Sequence, residues 1–104
     1  GLPWCECTWP GTNQLADRSD AGIVAHILGA LKPEHRLACV HLQELDGLGH
    51  AFGPNSRQVR KGIQVMDGLC RNLIETLKKR YQRVNLVLFG DHGMVNVTRT
   101  LDLE

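Results

Sequence analysis

The chain has 104 residues and a formal net charge of +1, with 42% hydrophobic and 22% charged residues, so it is one ordinary globular unit at most. A near-neutral balance predicts no strong attraction to nucleic acid or to an anionic membrane. No apolar stretch approaches the ~18 residues that a bilayer span requires, and nothing in the first residues reads as a signal peptide.

Residues 1–16 are rich in Trp, Pro, Gly and Cys and read as irregular loop. Ser19 and Asp20 can cap a helix whose Ile23, Ile27, Leu28 and Leu31 form one apolar face, and Pro33 ends it. Leu37 to Leu45 reads as a buried strand, followed by a Gly- and Pro-punctuated loop from Gly47 to Asn55. Ser56 is the natural N-cap of the strongest helix. There, Val59, Ile63, Met66, Leu69, Cys70, Leu73, Ile74 and Leu77 advance by threes and fours, as a core-facing stripe does. The cluster Arg71, Lys78, Lys79, Arg80 and Arg83 suits a solvated helix C-terminus, where cations complement the dipole. Val84 to Phe89 is a short apolar run predicted as a strand, and Val95 to Leu103 a further one.

Strand, long helix, strand is a βαβ unit with parallel strands, and such sheets gather ligands at the carboxyl ends of their strands. Two segments would then converge on one edge: Asp46-Gly47-Leu48-Gly49-His50 and Gly90-Asp91-His92-Gly93-Met94. Each puts a carboxylate beside an imidazole, the donor mixture of a divalent metal that handles water or phosphate oxygens. Singly, any of these residues serves equally well as a cap, a turn or a surface group. The two Asp/His pairs together point to a metal site. His26 and His35 have no partner pattern and read as structural, and His41 as a packed strand residue. Cys5 and Cys7 are too close in sequence to pair comfortably, while Cys39 and Cys70 read as small hydrophobes. Asn96-Val97-Thr98 fits a glycosylation sequon.

These residues carry a resemblance. Asp46-Gly-Leu-Gly-His50-Ala-Phe-Gly-Pro54, Asp67 in the following helix, and Phe89-Gly-Asp91-His92-Gly93-Met94 resemble the nucleotide pyrophosphatase/phosphodiesterases of the alkaline phosphatase superfamily. Trp9-Pro10-Gly11-Thr12 resembles a stretch upstream of the same elements. The resemblance implies an incomplete piece, residues 1–104, of an α/β catalytic domain with parallel strands and a long crossover helix. It implies two divalent ions, zinc by analogy, with Asp46 and His50 on one and Asp91 and His92 on the other. The family adds a downstream His, an upstream Asp and a Thr or Ser nucleophile, none of which this sequence is expected to supply. Thr8, in Thr8-Trp9-Pro10, is too close to Asp46 for that nucleophile, so the catalytic residue stays unassigned. The expected partner is a small phosphodiester or nucleotide substrate. The family and the sequon both lean towards an extracellular or secretory location.

Two alternatives remain. A glycosylphosphatidylinositol ethanolamine-phosphate transferase also resembles the Gly90–Met94 run, but Val95 to Leu103 lacks the segment that follows it there. A non-catalytic fragment or degenerate paralogue, acting as a binding module, is the rival from another class.

Overall fold

A computed structural model describes residues 1, 3–7 and 14–101. Strand β1 (Trp4–Cys7) precedes helix α1 (Asp20–Ala30), and strand β2 (Leu37–Val40) precedes helices α2 (Glu44–Phe52) and α3 (Arg57–Arg80). The two strands pair in parallel, with Trp4 opposite Leu37 and Cys7 opposite Val40. The family's Trp9–Thr12 stretch and Thr8 lie outside the described residues.

The caps expected for α1 and α3 are present. Ser19 Oγ accepts from the Gly22 amide at 3.0 Å, and Ser56 Oγ accepts from the Val59 amide at 3.1 Å. Each satisfies a backbone donor that has no partner inside its helix. Helix α1 ends at Ala30, just before Pro33. Its face packs as its spacing demands: Ile23 and Ile27 are fully buried, with Leu15, Leu31, Val40, Leu42 and Leu73 against them. The ends of α1 and α3 are tied together, the Arg80 guanidinium donating to the Leu28 carbonyl and the Tyr81 hydroxyl to the Lys32 carbonyl at 2.8 Å. The stripe on α3 is only partly covered: Val59 is buried, Met66, Leu69, Leu73, Ile74 and Leu77 are half-buried, and Ile63 is exposed.

The structure departs from the sequence reading in four places. Residues 4–7, read as loop, form β1, because a four-residue strand in Trp- and Cys-rich surroundings carries too short a pattern to show alternation. The crossover between the parallel strands is therefore the eleven-residue α1 and not the long α3. Beyond Val40 the chain leaves the strand and enters α2, where Gly47 and Gly49 suggest a loop. Helix propensity is lost at each of those glycines, but Leu45 and Leu48 of α2 pack against Gly62 of α3 and hold the turn pair in place. Gly53 closes α2 at φ 84°, a conformation that side chains with a Cβ resist.

The last departure is the largest. Residues 84–89 form no strand, and neither do the described residues of the second predicted strand, 95–101. Val87 and Phe89 are each 80% exposed. Among the described residues, no backbone–backbone hydrogen bond involves residues 84–101. The radius of gyration, 16.5 Å, exceeds the ~13 Å of a compact domain of this length, consistent with a segment lying outside the packed part. No helix among the described residues is long and apolar enough to cross a membrane.

Candidate metal centre

Asp46 is the third residue of α2, three residues beyond the N-cap Gln43. His50 follows one turn later, on the same face. The spacing leaves its Nε2 3.5 Å from Asp46 Oδ1. The second Asp/His pair arrives from the other end of the chain. Gly49 of α2 is buried, and a Cβ there would lie 2.7 Å from Met94 Sδ. That bare backbone lets Met94 settle on α2 and carries Asp91 and His92 with it. His92 Nε2 then stands 3.7 Å from Asp46 Oδ1 and 3.8 Å from Asp91 Oδ1.

All four sequence-predicted residues therefore converge. They do so through Met94 on Gly49 and not through a shared sheet edge, since residues 84–89 pair with no strand. The Met94 contact is the feature that sequence reasoning missed. No sequence signal marks it, because the segment holding Gly49 reads as a loop. Asp67, the other carboxylate of the motif, stands apart in an exposed ion pair with Arg71 at 3.2 Å. His26 is exposed, and His35 Nδ1 accepts from the Lys32 amide at 2.9 Å, both outside the site. His41 is half-buried just past β2, and Cys5, Cys39 and Cys70 are free thiols.

The ring of His92 is oriented by its neighbour. Its Nδ1 lies 3.1 Å from the Gly93 carbonyl, which can only accept, so Nδ1 carries the proton and Nε2 faces Asp46. That hydrogen bond and then the Asp91 charge raise the His92 pKa above the ordinary imidazole value, partly opposed by burial, with Asp46 adding least. Any cation at Nε2 therefore competes with a proton that the site itself favours. The side chains stay accessible, from 46% exposed at Asp46 to 73% at His50.

Carboxylate oxygen and imidazole nitrogen are the right donors for zinc. In a tetrahedral zinc site donors sit ~3.3 Å apart, from bonds near 2.0–2.1 Å, so separations of 3.5–3.8 Å are slightly open. Among the described residues, no three His, Cys, Asp or Glu side chains are set to hold one metal ion. The donor set fits zinc by chemistry, and it is contributed as pairs. Beside it lies a cavity of about 420 Å³ between β2, α3 and residues 87–94, lined by Val40, Leu42, Met66, Leu73 and Phe89 with Asp46, Asp91 and His92 also on its wall.

Two carboxylates and two imidazoles thus meet beside one face of α2 in an α/β chain. Residues 4–104 match the family described as type I phosphodiesterase / nucleotide pyrophosphatase, and the chain belongs to that family. It is 46% identical over 57 residues to a venom phosphodiesterase of Naja atra, covering 53% of this chain and 7% of that protein. It is 40% identical over 57 residues to human ectonucleotide pyrophosphatase/phosphodiesterase family member 1, covering 53% and 6%. Family member 3 of Rattus norvegicus is 28% identical over 113 residues, covering 90% of this chain and 13% of that protein. The chain thus spans between 6 and 13% of the length of these curated relatives. No solved structure matches it significantly.

Proposed function

We propose that this chain supplies part of the metal-holding machinery of an enzyme that hydrolyses phosphodiester or pyrophosphate bonds in small nucleotide-like substrates. The observation that carries the reading is the meeting of Asp46, His50, Asp91 and His92 at separations of 3.5–3.8 Å, on a chain of this family. Asp46 and His50 would hold one ion, and Asp91 and His92 a second. Bound there, two divalent ions supply positive charge to the attacking and leaving oxygens of an in-line displacement at phosphorus.

The chain's own residues do the rest of what is proposed. Asp46 presents its carboxylate from the first turn of α2, whose dipole favours negative charge there. The Gly93 carbonyl holds the His92 ring in the tautomer that leaves Nε2 free as a ligand. Met94, seated on Gly49, keeps the second pair against the first. On this reading these residues would belong to one domain of an alkaline-phosphatase-like fold, with the nucleophile and further ligands supplied from elsewhere in it.

The test uses the full protein with zinc and bis(4-nitrophenyl) phosphate. Asp46→Ala, His50→Ala, Asp91→Ala and His92→Ala should each lower kcat/KM by about 100-fold or more, the scale of losing a charge-stabilising group at the reacting centre. Each should also lower the bound zinc. Wild-type rates in two or more of these variants would overturn the assignment. A wild-type protein inert with zinc supplied would favour the degenerate-paralogue reading.

A further inference from the structure

We infer that Asp20, remote in sequence from the candidate ligands, is a positioning residue that fixes how α2 presents Asp46 and His50. The inference rests on the function proposed above for that pair.

Asp20 is the first residue of α1, and it is 2% exposed. Its carboxylate reaches across to the start of α2. Oδ1 accepts from the Gln43 amide at 2.8 Å and from the Glu44 amide at 3.3 Å, and Oδ2 accepts from the Glu44 amide at 3.3 Å. A helix begins with backbone donors that its own carbonyls cannot satisfy. Gln43, at the N-cap position of α2, makes no side-chain capping bond of its own. The cap of α2 is therefore borrowed from α1. Asp20 is free for that task because Ser19 already caps α1. The tie runs both ways, since Gln43 Nε2 donates to the Arg18 carbonyl at 3.4 Å.

The location gives the tie its consequence. Asp46 lies two residues past Glu44, and His50 one turn beyond it. A helix advances ~1.5 Å and turns ~100° per residue. Fixing the Gln43 and Glu44 amides to one buried carboxylate therefore fixes both the height and the rotation of the face that carries Asp46 and His50. Released from it, the first turn of α2 can fray or slip, and a slip of one residue turns Asp46 away from His92. A carboxylate suits this role better than an amide, because both of its oxygens accept. The N-terminus of α2 also favours its negative charge.

The experiment compares wild type, Asp20→Ala and Asp20→Asn in the full protein by hydrogen exchange, zinc competition with a chelator, and steady-state kinetics. Asp20→Ala should raise exchange across residues 43–50 by about 10-fold while residues 57–80 change little, and should weaken zinc by about 10-fold, the usual range for a residue that orients ligands. Asp20→Asn keeps one acceptor oxygen and should recover a substantial part of both losses. Its kcat should recover more than its KM worsens if the fault is ligand placement. Exchange rising equally in α2 and α3 would mean that Asp20 merely supports the fold, and would overturn the inference. Loosened α2 with unchanged zinc affinity would overturn it too. A wild-type protein that takes up no zinc overturns the proposed function instead. The exchange data then decide the inference alone: loosening confined to α2 supports it, and none refutes it.

Discussion

Residues 20–80 and residues 84–101 of this chain are comparable in apolar character and opposite in outcome. In the first region the α1 face is covered and the α3 stripe partly so. Ile23 and Ile27 are fully buried, two helices carry serine caps, and the third is capped by a carboxylate from its neighbour. In the second, Val84 to Phe89 is as apolar as any part of the chain, yet Val87 and Phe89 are 80% exposed. A helix satisfies its backbone locally and then needs only a surface to pack on. A strand must find its backbone partners on another strand. The second region touches the first at Met94 on Gly49, with Asn96 beside Gly53, and that is where the candidate ligands meet.

The strongest test of this contrast is a truncation in the core. Ile27→Ala should cost about 2–5 kcal/mol in urea denaturation, as buried large-to-small changes do; a cost below ~1 kcal/mol would mean that α1 is no better packed than the tail. Gly49→Val should cost about 1–3 kcal/mol through overpacking, and it should lift Met94 and separate His92 from Asp46. Loss of NMR contacts between the Met94 methyl and α2 would register that separation. Ser56→Ala should cost about 1 kcal/mol through the lost cap, with the fraying confined to the start of α3 in amide exchange. Val87→Ser should change stability by no more than about 0.5 kcal/mol, as exposed substitutions do. A larger cost would show the run pairing with β2, whose second edge is open among the described residues.

The smallest effect concerns pH. In the metal-free protein His92 should titrate above the ordinary imidazole value, and Asp91→Asn should lower it without restoring it fully, because the Gly93 carbonyl remains. A folded pKa raised above the unfolded one contributes stability that is complete below the unfolded value and is lost as pH rises through the folded one. The exposed ring makes that contribution slight, so the NMR titration and not the melting curve is the measurement. An unshifted His92 would mean that its ring does not face the Gly93 carbonyl and Asp91 as described.

Much of the first region was legible because its signals are local. Serine before an apolar repeat marks a helix start, and α1 and α3 follow from such marks. The helix α2 was not legible. Two glycines within nine residues argue against it, and its support comes from Asp20 on another element and from Leu45 and Leu48 resting on α3. The strand β1 was hidden by its brevity, and the strands predicted in the second region assumed partners that the described chain does not provide. The candidate ligands were legible as residue types at suggestive spacing. The contact that joins the two pairs was not, since neither Met94 nor Gly49 carries any chemistry of its own.

The parallel pairing of β1 with β2 also has a kinetic side. Its rungs join Trp4 to Leu37 and Cys7 to Val40, so a long stretch of chain must be ordered before the first of them can close. The α2–α3 pair, linked by only a short turn, faces no such delay. The helical pair should therefore assemble early and the sheet late. Substitutions at Leu48 should slow refolding, whereas substitutions at Ala38 should mainly hasten unfolding.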